Sequence, residues 1–148
     1  MKNAYRYLAL AIPALVLVQA ASIAFAVFAL GSWVHDGHTV TKAGMDAHDS
    51  MGGAGAGFAI HSIVGQMVIP LVSIALLVVA FLARAVVPES VKWAAMMLGS
   101  VVIQVLIGVL GQDLPFLGVI HGVLALAIFG LGLRVAQQAD ATGAVATP

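Results

Sequence analysis

Four long apolar stretches, at about residues 8–31, 57–83, 92–111 and 116–137, dominate the chain. Each reaches the roughly 20 residues that a helix needs to cross the hydrocarbon core of a bilayer. In lipid the backbone amides have no water to bond to, so runs of this kind are satisfied as helices. Hydrophobic residues make up 62% of the 148, charged residues 8%, and the mean hydropathy is +1.11. That much apolar surface cannot be hidden in a water-soluble core of this size. The expected fold is an all-α membrane protein, a four-transmembrane-helix up-down-up-down bundle. It forms a single integral membrane domain over 1–148, with an outer loop at 32–56 and a flexible tail at 138–148.

Basic residues near helix ends favour the cytoplasmic side. Lys2, Arg6, Arg84, Lys92 and Arg134 fall on one side of the four stretches and Lys42 on the other. A multi-pass plasma-membrane protein with both termini cytoplasmic is therefore predicted. The opening "MKNAYRYLALAIPALVLVQAASIAFA" also has the layout of a signal peptide, but its apolar part is long enough to span, so a helix is expected. Pro13 should kink that helix, and Trp33 suits the headgroup region at its far end. After Pro88, Ser90 is the expected N-cap of the third helix.

The chain contains a weak internal repeat. "VLVQAASIAFAVFALG" is echoed by "VVIQVLIGVLG", and "FAIHSIVG" by "GVIHGVLA". Each predicted hairpin thus has a Gln on its outward helix, Gln19 or Gln104, and an Ile-His pair near the start of its inward helix, at His61 or His121. Two hairpins in the same orientation would be related by an axis along the membrane normal. Counting 1.5 Å per residue places both histidines roughly 6–8 Å inside the outer boundary, on helices two and four.

Ionisable residues inside a membrane usually mark function. Two imidazoles at matched depth suit the axial positions of a heme, with small neighbours (Gly65 after His61, Gly122 and Ala125 beside His121) opening a slot. The propionates would point toward Trp33, Lys42, His48 or Gln112. The competing account is polar glue, with each His hydrogen-bonded to Gln19, Gln66 or Gln104. Gln19 and Gln104 are read first as interhelical hydrogen-bonding groups, with Gln104 nearer the histidine depth and placed to orient a ligand imidazole. Gly99, Gly108, Gly111, Gly130 and Gly132 are read as sites of close helix packing.

The outer loop holds a second cluster. His35, His38 and His48, with Met45 and Met51 and the carboxylates Asp36, Asp46 and Asp49, are donors that copper or zinc accept. Their spacing matches no established metal motif, and a solvated His-rich loop is the competing account. The absence of cysteine removes disulfides, thiolate sites and c-type heme attachment. There is no Ser-His-Asp pattern or phosphate-binding glycine loop, hence no candidate catalytic residue. A net charge of zero without a basic stripe argues against nucleic acid.

The segment "IQVLIGVLGQDLPFLGVIHGVLALAIFGLGL", Ile103 to Leu133, resembles the third and fourth helices of one half of the heme A synthase family. The four-residue pattern Gln19, His61 to Gly65, Gln104 and His121 is also similar to that of small four-helix membrane proteins of uncharacterised function. The first resemblance implies a four-helix bundle whose second and fourth helices carry heme-binding histidines, here His61 and His121. One half alone, without the cysteine pair of the first outer loop, implies heme binding rather than heme A synthesis.

The expectation is a membrane b-type cytochrome holding one heme b through His61 and His121, with Gly65 and Gln104 lining the site. It would be an electron-transfer protein or redox-complex subunit rather than a stand-alone enzyme, exchanging electrons with a quinol or an extracytoplasmic redox protein. The alternatives are an accessory subunit of a larger membrane complex, or a homo-oligomer, with structural histidines, and a membrane-anchored copper- or zinc-binding module built on the outer loop.

Overall fold

The computed structural model describes residues 1–46 and 50–144, and every regular element among them is helical. In chain order these are α1 (Lys2–His35), α2 (Lys42–Asp46), a 3-10 turn (Met51–Gly53), α3 (Ala54–Ile63), a π turn (Val64–Val68), α4 (Ile69–Ala83), α5 (Ser90–Leu110) and α6 (Leu117–Ala144). Four spans, Lys2–His35, Met51–Ala83, Ser90–Leu110 and Leu117–Ala139, are long and apolar enough to cross a membrane. These match the four stretches read from the sequence, with longer first and second spans.

Burial is distributed as lipid requires. Large apolar side chains lie outside, among them Phe28 at 81% exposure and Leu126 at 72%. Many fully buried positions are small: Ala9, Ala80, Ala83, Ala94, Ser73 and Ser90. A soluble monomer with this outer surface would aggregate, whereas small residues inside and large aliphatic ones outside describe a bundle solvated by acyl chains. The chain is a multi-pass integral membrane protein.

The chain forms two compact units, one of residues 1–16 and 68–148, the other of residues 17–67. The larger unit is a four-helix bundle. α4 packs on α5 and α5 on α6, each pair joined by a short turn. The N-terminal part of α1 joins them through Tyr5, whose hydroxyl donates to the Ser90 carbonyl at 3.4 Å. α1 also meets α6 at Gly132, where an added Cβ would come within 2.6 Å of Pro13 Cδ and 3.3 Å of the Ala9 carbonyl. α1 stays helical through Pro13, and the proline ring occupies the space that Gly132 leaves.

Two local expectations are corrected, and one short element is added. Ser90 does not cap α5. Glu89 takes the cap position with φ +59° and makes no side-chain cap bond, while the Ser90 hydroxyl donates to the Ala80 carbonyl on α4 at 3.0 Å. The crossing bond ties the two helices at their shared turn. Gly99 and Gly130 face open space rather than a neighbouring helix. The outer loop, which shows no period in sequence, contains α2, whose first turn is held by Thr41 Oγ1 accepting from the Gly44 amide at 3.1 Å.

Gly132→Ala should therefore destabilise the detergent-solubilised protein by about 1–3 kcal/mol, the usual cost of overpacking. Gly99→Ala, which adds a methyl group to open space, should not. Thermal unfolding of the two variants compares them directly, and equal stability would refute the Gly132 contact.

Candidate functional site

In the smaller unit, α1 beyond Val16 packs against the start of the second span through residues spaced by four: Gly53, Gly57, His61 and Gly65. Residues at this spacing share one face of a helix. An added Cβ on Gly57 would lie 2.8 Å from both the Ser22 carbonyl and Ala26 Cβ, and one on Gly53 would lie 3.2 Å from the Phe25 ring. The two backbones therefore come together one turn before His61. This approach lets the His61 ring reach main chain, and its Nδ1 lies 3.2 Å from the Gln19 carbonyl. A carbonyl can only accept, so Nδ1 carries the proton and the ring lone pair is on Nε2. The same carbonyl accepts from Ser22 Oγ at 3.0 Å.

Gln19 was expected to act through its side chain. Its main chain makes the bond instead, and its Oε1 lies over Gly65, 3.0 Å from where a Cβ would be. Gly65 thus makes room for the Gln19 amide, whose Nε2 is buried without an acceptor. Gln66 points elsewhere, donating to the Ser62 hydroxyl at 3.2 Å from an exposed position.

In the larger unit the second histidine has a related but rearranged setting. Gln104 Nε2 donates to the His121 main-chain carbonyl at 3.0 Å, and Gln104 Oε1 is buried without a donor. The amide holds the His121 backbone rather than its ring. The ring lies against Gly108, where an added Cβ would meet Cε1 at 3.0 Å and Nδ1 at 3.2 Å, with Nε2 farther away at 4.0 Å. Gly122, expected to open space beside His121, has no neighbour within 4 Å.

Two features escaped the sequence reading. Gly108, a helix-packing glycine by its sequence setting, is the seat of the imidazole; its position one turn after Gln104 is the available signal. The second is the π turn at Val64–Val68, directly after the helical turn that bears His61. Pro70 follows it near the start of α4. A proline has no N–H to donate and its ring clashes with the carbonyl four residues back, which explains a helix that widens ahead of it. Such widened turns recur at functional sites.

In the outer loop, His38 stacks on Trp33 with ring centroids 3.8 Å apart and planes 16° from parallel. His35 ends α1 and is exposed, Met45 is exposed, and Met51 is buried. His48 and Asp49 lie outside the described residues. Among the described residues no three His, Asp or Glu side chains come together to hold a metal ion.

Compared with protein-family models, curated proteins and solved structures, the chain matches none.

The His61 contact sets a measurable tautomer. In 15N spectra of the heme-free protein at neutral to alkaline pH, His61 should show the proton on Nδ1. Gly57→Val, which pushes α1 away, should reduce that preference. An Nε2-protonated His61 in the unsubstituted protein would contradict the contact.

Proposed function

We propose that the chain is a membrane b-type cytochrome in which His61 and His121 are the axial ligands of one heme, serving one-electron transfer. The observation that carries this reading is the His61 Nδ1–H bond to the Gln19 carbonyl, which places the lone pair on the nitrogen that would meet iron. Metal-binding histidines commonly have a carbonyl or carboxylate at the other ring nitrogen, which fixes the tautomer and raises the basicity of the ligand. The seat at Gly108 supports His121 in the same role, because the ring turns its Cε1 and Nδ1 toward that glycine and holds Nε2 farther from it.

The donor set fits a heme better than a bare ion. Two imidazoles leave zinc or copper under-coordinated, whereas a porphyrin supplies four nitrogens of its own. With both axial positions filled by histidine, a bound heme would cycle between ferric and ferrous states without an open site for oxygen. The chain's own part would be to fix each imidazole, through a main-chain carbonyl at His61 and a glycine seat at His121. The resemblance of Ile103–Leu133 to a heme-binding half-bundle agrees with this reading. The orientation we propose has both termini cytoplasmic: Lys2, Arg6, Arg84, Lys92 and Arg134 lie toward one set of span ends, and Lys42, the remaining Lys or Arg, lies beyond the far end of the first span.

A second reading has one specific observation in its favour. Gln104 donates to the His121 carbonyl, not to its ring, which is what polar glue between two helices would do in an accessory subunit of a larger complex.

A dithionite-reduced minus oxidised visible spectrum of purified protein separates the two. The cytochrome reading expects a sharp low-spin heme signal, lost to background in His61→Ala and in His121→Ala and kept in His35→Ala. Full heme occupancy in both helix variants, or a protein colourless even after heme addition, would end the ligand assignment.

A further inference from the structure

The second span carries a polar side chain on its outer surface. Gln66 is exposed, and it lies about 18 Å of helical rise from Ala54 and about 25 Å from Ala83, the ends of the helical run that contains it. Both distances exceed the roughly 15 Å half-thickness of the hydrocarbon core, so the amide stands deep among acyl chains. A glutamine side chain there is costly, because lipid offers neither donor nor acceptor.

The chain itself uses only part of this amide. Gln66 Nε2 donates to the hydroxyl of Ser62, also exposed, at 3.2 Å. The second N–H and Oε1 make no further bond among the described residues. Gln104 uses its side chain to reach the His121 carbonyl on the next helix, whereas the Gln66 bond stays within its own helix. Pro70, four residues on, has no N–H for the Gln66 main-chain carbonyl, so the regular helical bond at this residue is missing too. Ile63 and Met67 flank the amide and are exposed at 55% and 59%. Aliphatic side chains pack on lipid about as well as on protein, so the polar atoms decide what covers this face.

We infer that this face is the interface of a homodimer, in which Gln66 of each copy donates its second N–H to Oε1 of the other. A primary amide is its own complement, with a donor and an acceptor side by side. Two copies inserted in the same orientation pair about a twofold axis along the membrane normal, because an axis in the membrane plane would invert one of them. Such an axis sets equivalent residues at equal depth. A second copy therefore brings the required donor and acceptor to the level of Gln66, a match that an unrelated partner would need to evolve separately. The two bonds are reciprocal and fix register, as a single buried amide does in a coiled coil. Neither His61 nor His121 enters this inference, so it stands apart from the cytochrome reading.

The test uses the full chain in phospholipid vesicles. The sequence has no cysteine, so Thr39→Cys, at an exposed position in the outer loop, takes a donor or an acceptor dye without competition. Energy transfer between the two labelled populations is followed as lipid is added. The expected result is transfer above chance proximity that falls on dilution along a dimer curve, with association about tenfold weaker in Gln66→Leu. That variant exchanges an amide for an aliphatic side chain in lipid and should fold. A monomer at every dilution, with the face covered by lipid or by a different protein, would overturn the dimer, as would unchanged association in Gln66→Leu. Oxidative cross-linking locates the interface. Met67→Cys should give a disulfide-linked dimer, and Leu126→Cys, at a 72% exposed position on α6, should not. The reverse pattern would place the contact elsewhere and end the Gln66 assignment.

Discussion

Close approach between helix backbones is the condition on which the described contacts depend. In a bilayer an aliphatic side chain gains little by leaving lipid for another helix, so association depends on dispersion at short range and on hydrogen bonds between helices. Both need positions without bulk. Gly57 brings α1 against the start of the second span, and Gly132 makes room for the Pro13 ring on α6. Only at such separations can a side chain of one helix reach the main chain of the next. His61 to the Gln19 carbonyl, Gln104 to the His121 carbonyl and Ser90 to the Ala80 carbonyl are all bonds of this type.

This condition also explains which parts of the protein were legible in its sequence. Span number and approximate limits follow from hydropathy alone, because lipid imposes one solution on any long apolar run. The partners of polar side chains do not follow so directly. Ser90 stands where a cap residue would stand, yet the neighbouring α4 offers a carbonyl within reach and the hydroxyl takes it. Gly99, Gly108, Gly130 and Gly132 look alike in sequence, and only the packing distinguishes a contact with Pro13 or a seat for His121 from open space. The singling out of His61, His121, Gln19, Gln104 and Gly65 came from the repeat, which is visible in sequence. Which atom of each would bond to which was not, since side-chain and main-chain carbonyls are equivalent acceptors until the interhelical distance is known.

The two hairpin settings show how a repeat can keep its residues and exchange their roles. Both contain a glutamine, a histidine and a glycine one turn further along. In the first, the glycine follows the histidine, and the glutamine side chain occupies the space it leaves. In the second, the glycine follows the glutamine, and the histidine ring occupies that space. The consequence is chemical as well as steric. A ring bonded through Nδ1 to a main-chain carbonyl is held by a group that no side-chain substitution at Gln19 removes. A ring resting on a glycine depends on the space there, and any larger residue at Gly108 would move it. The first imidazole is therefore fixed in tautomer by its main-chain partner, and the second lies in the space that Gly108 leaves.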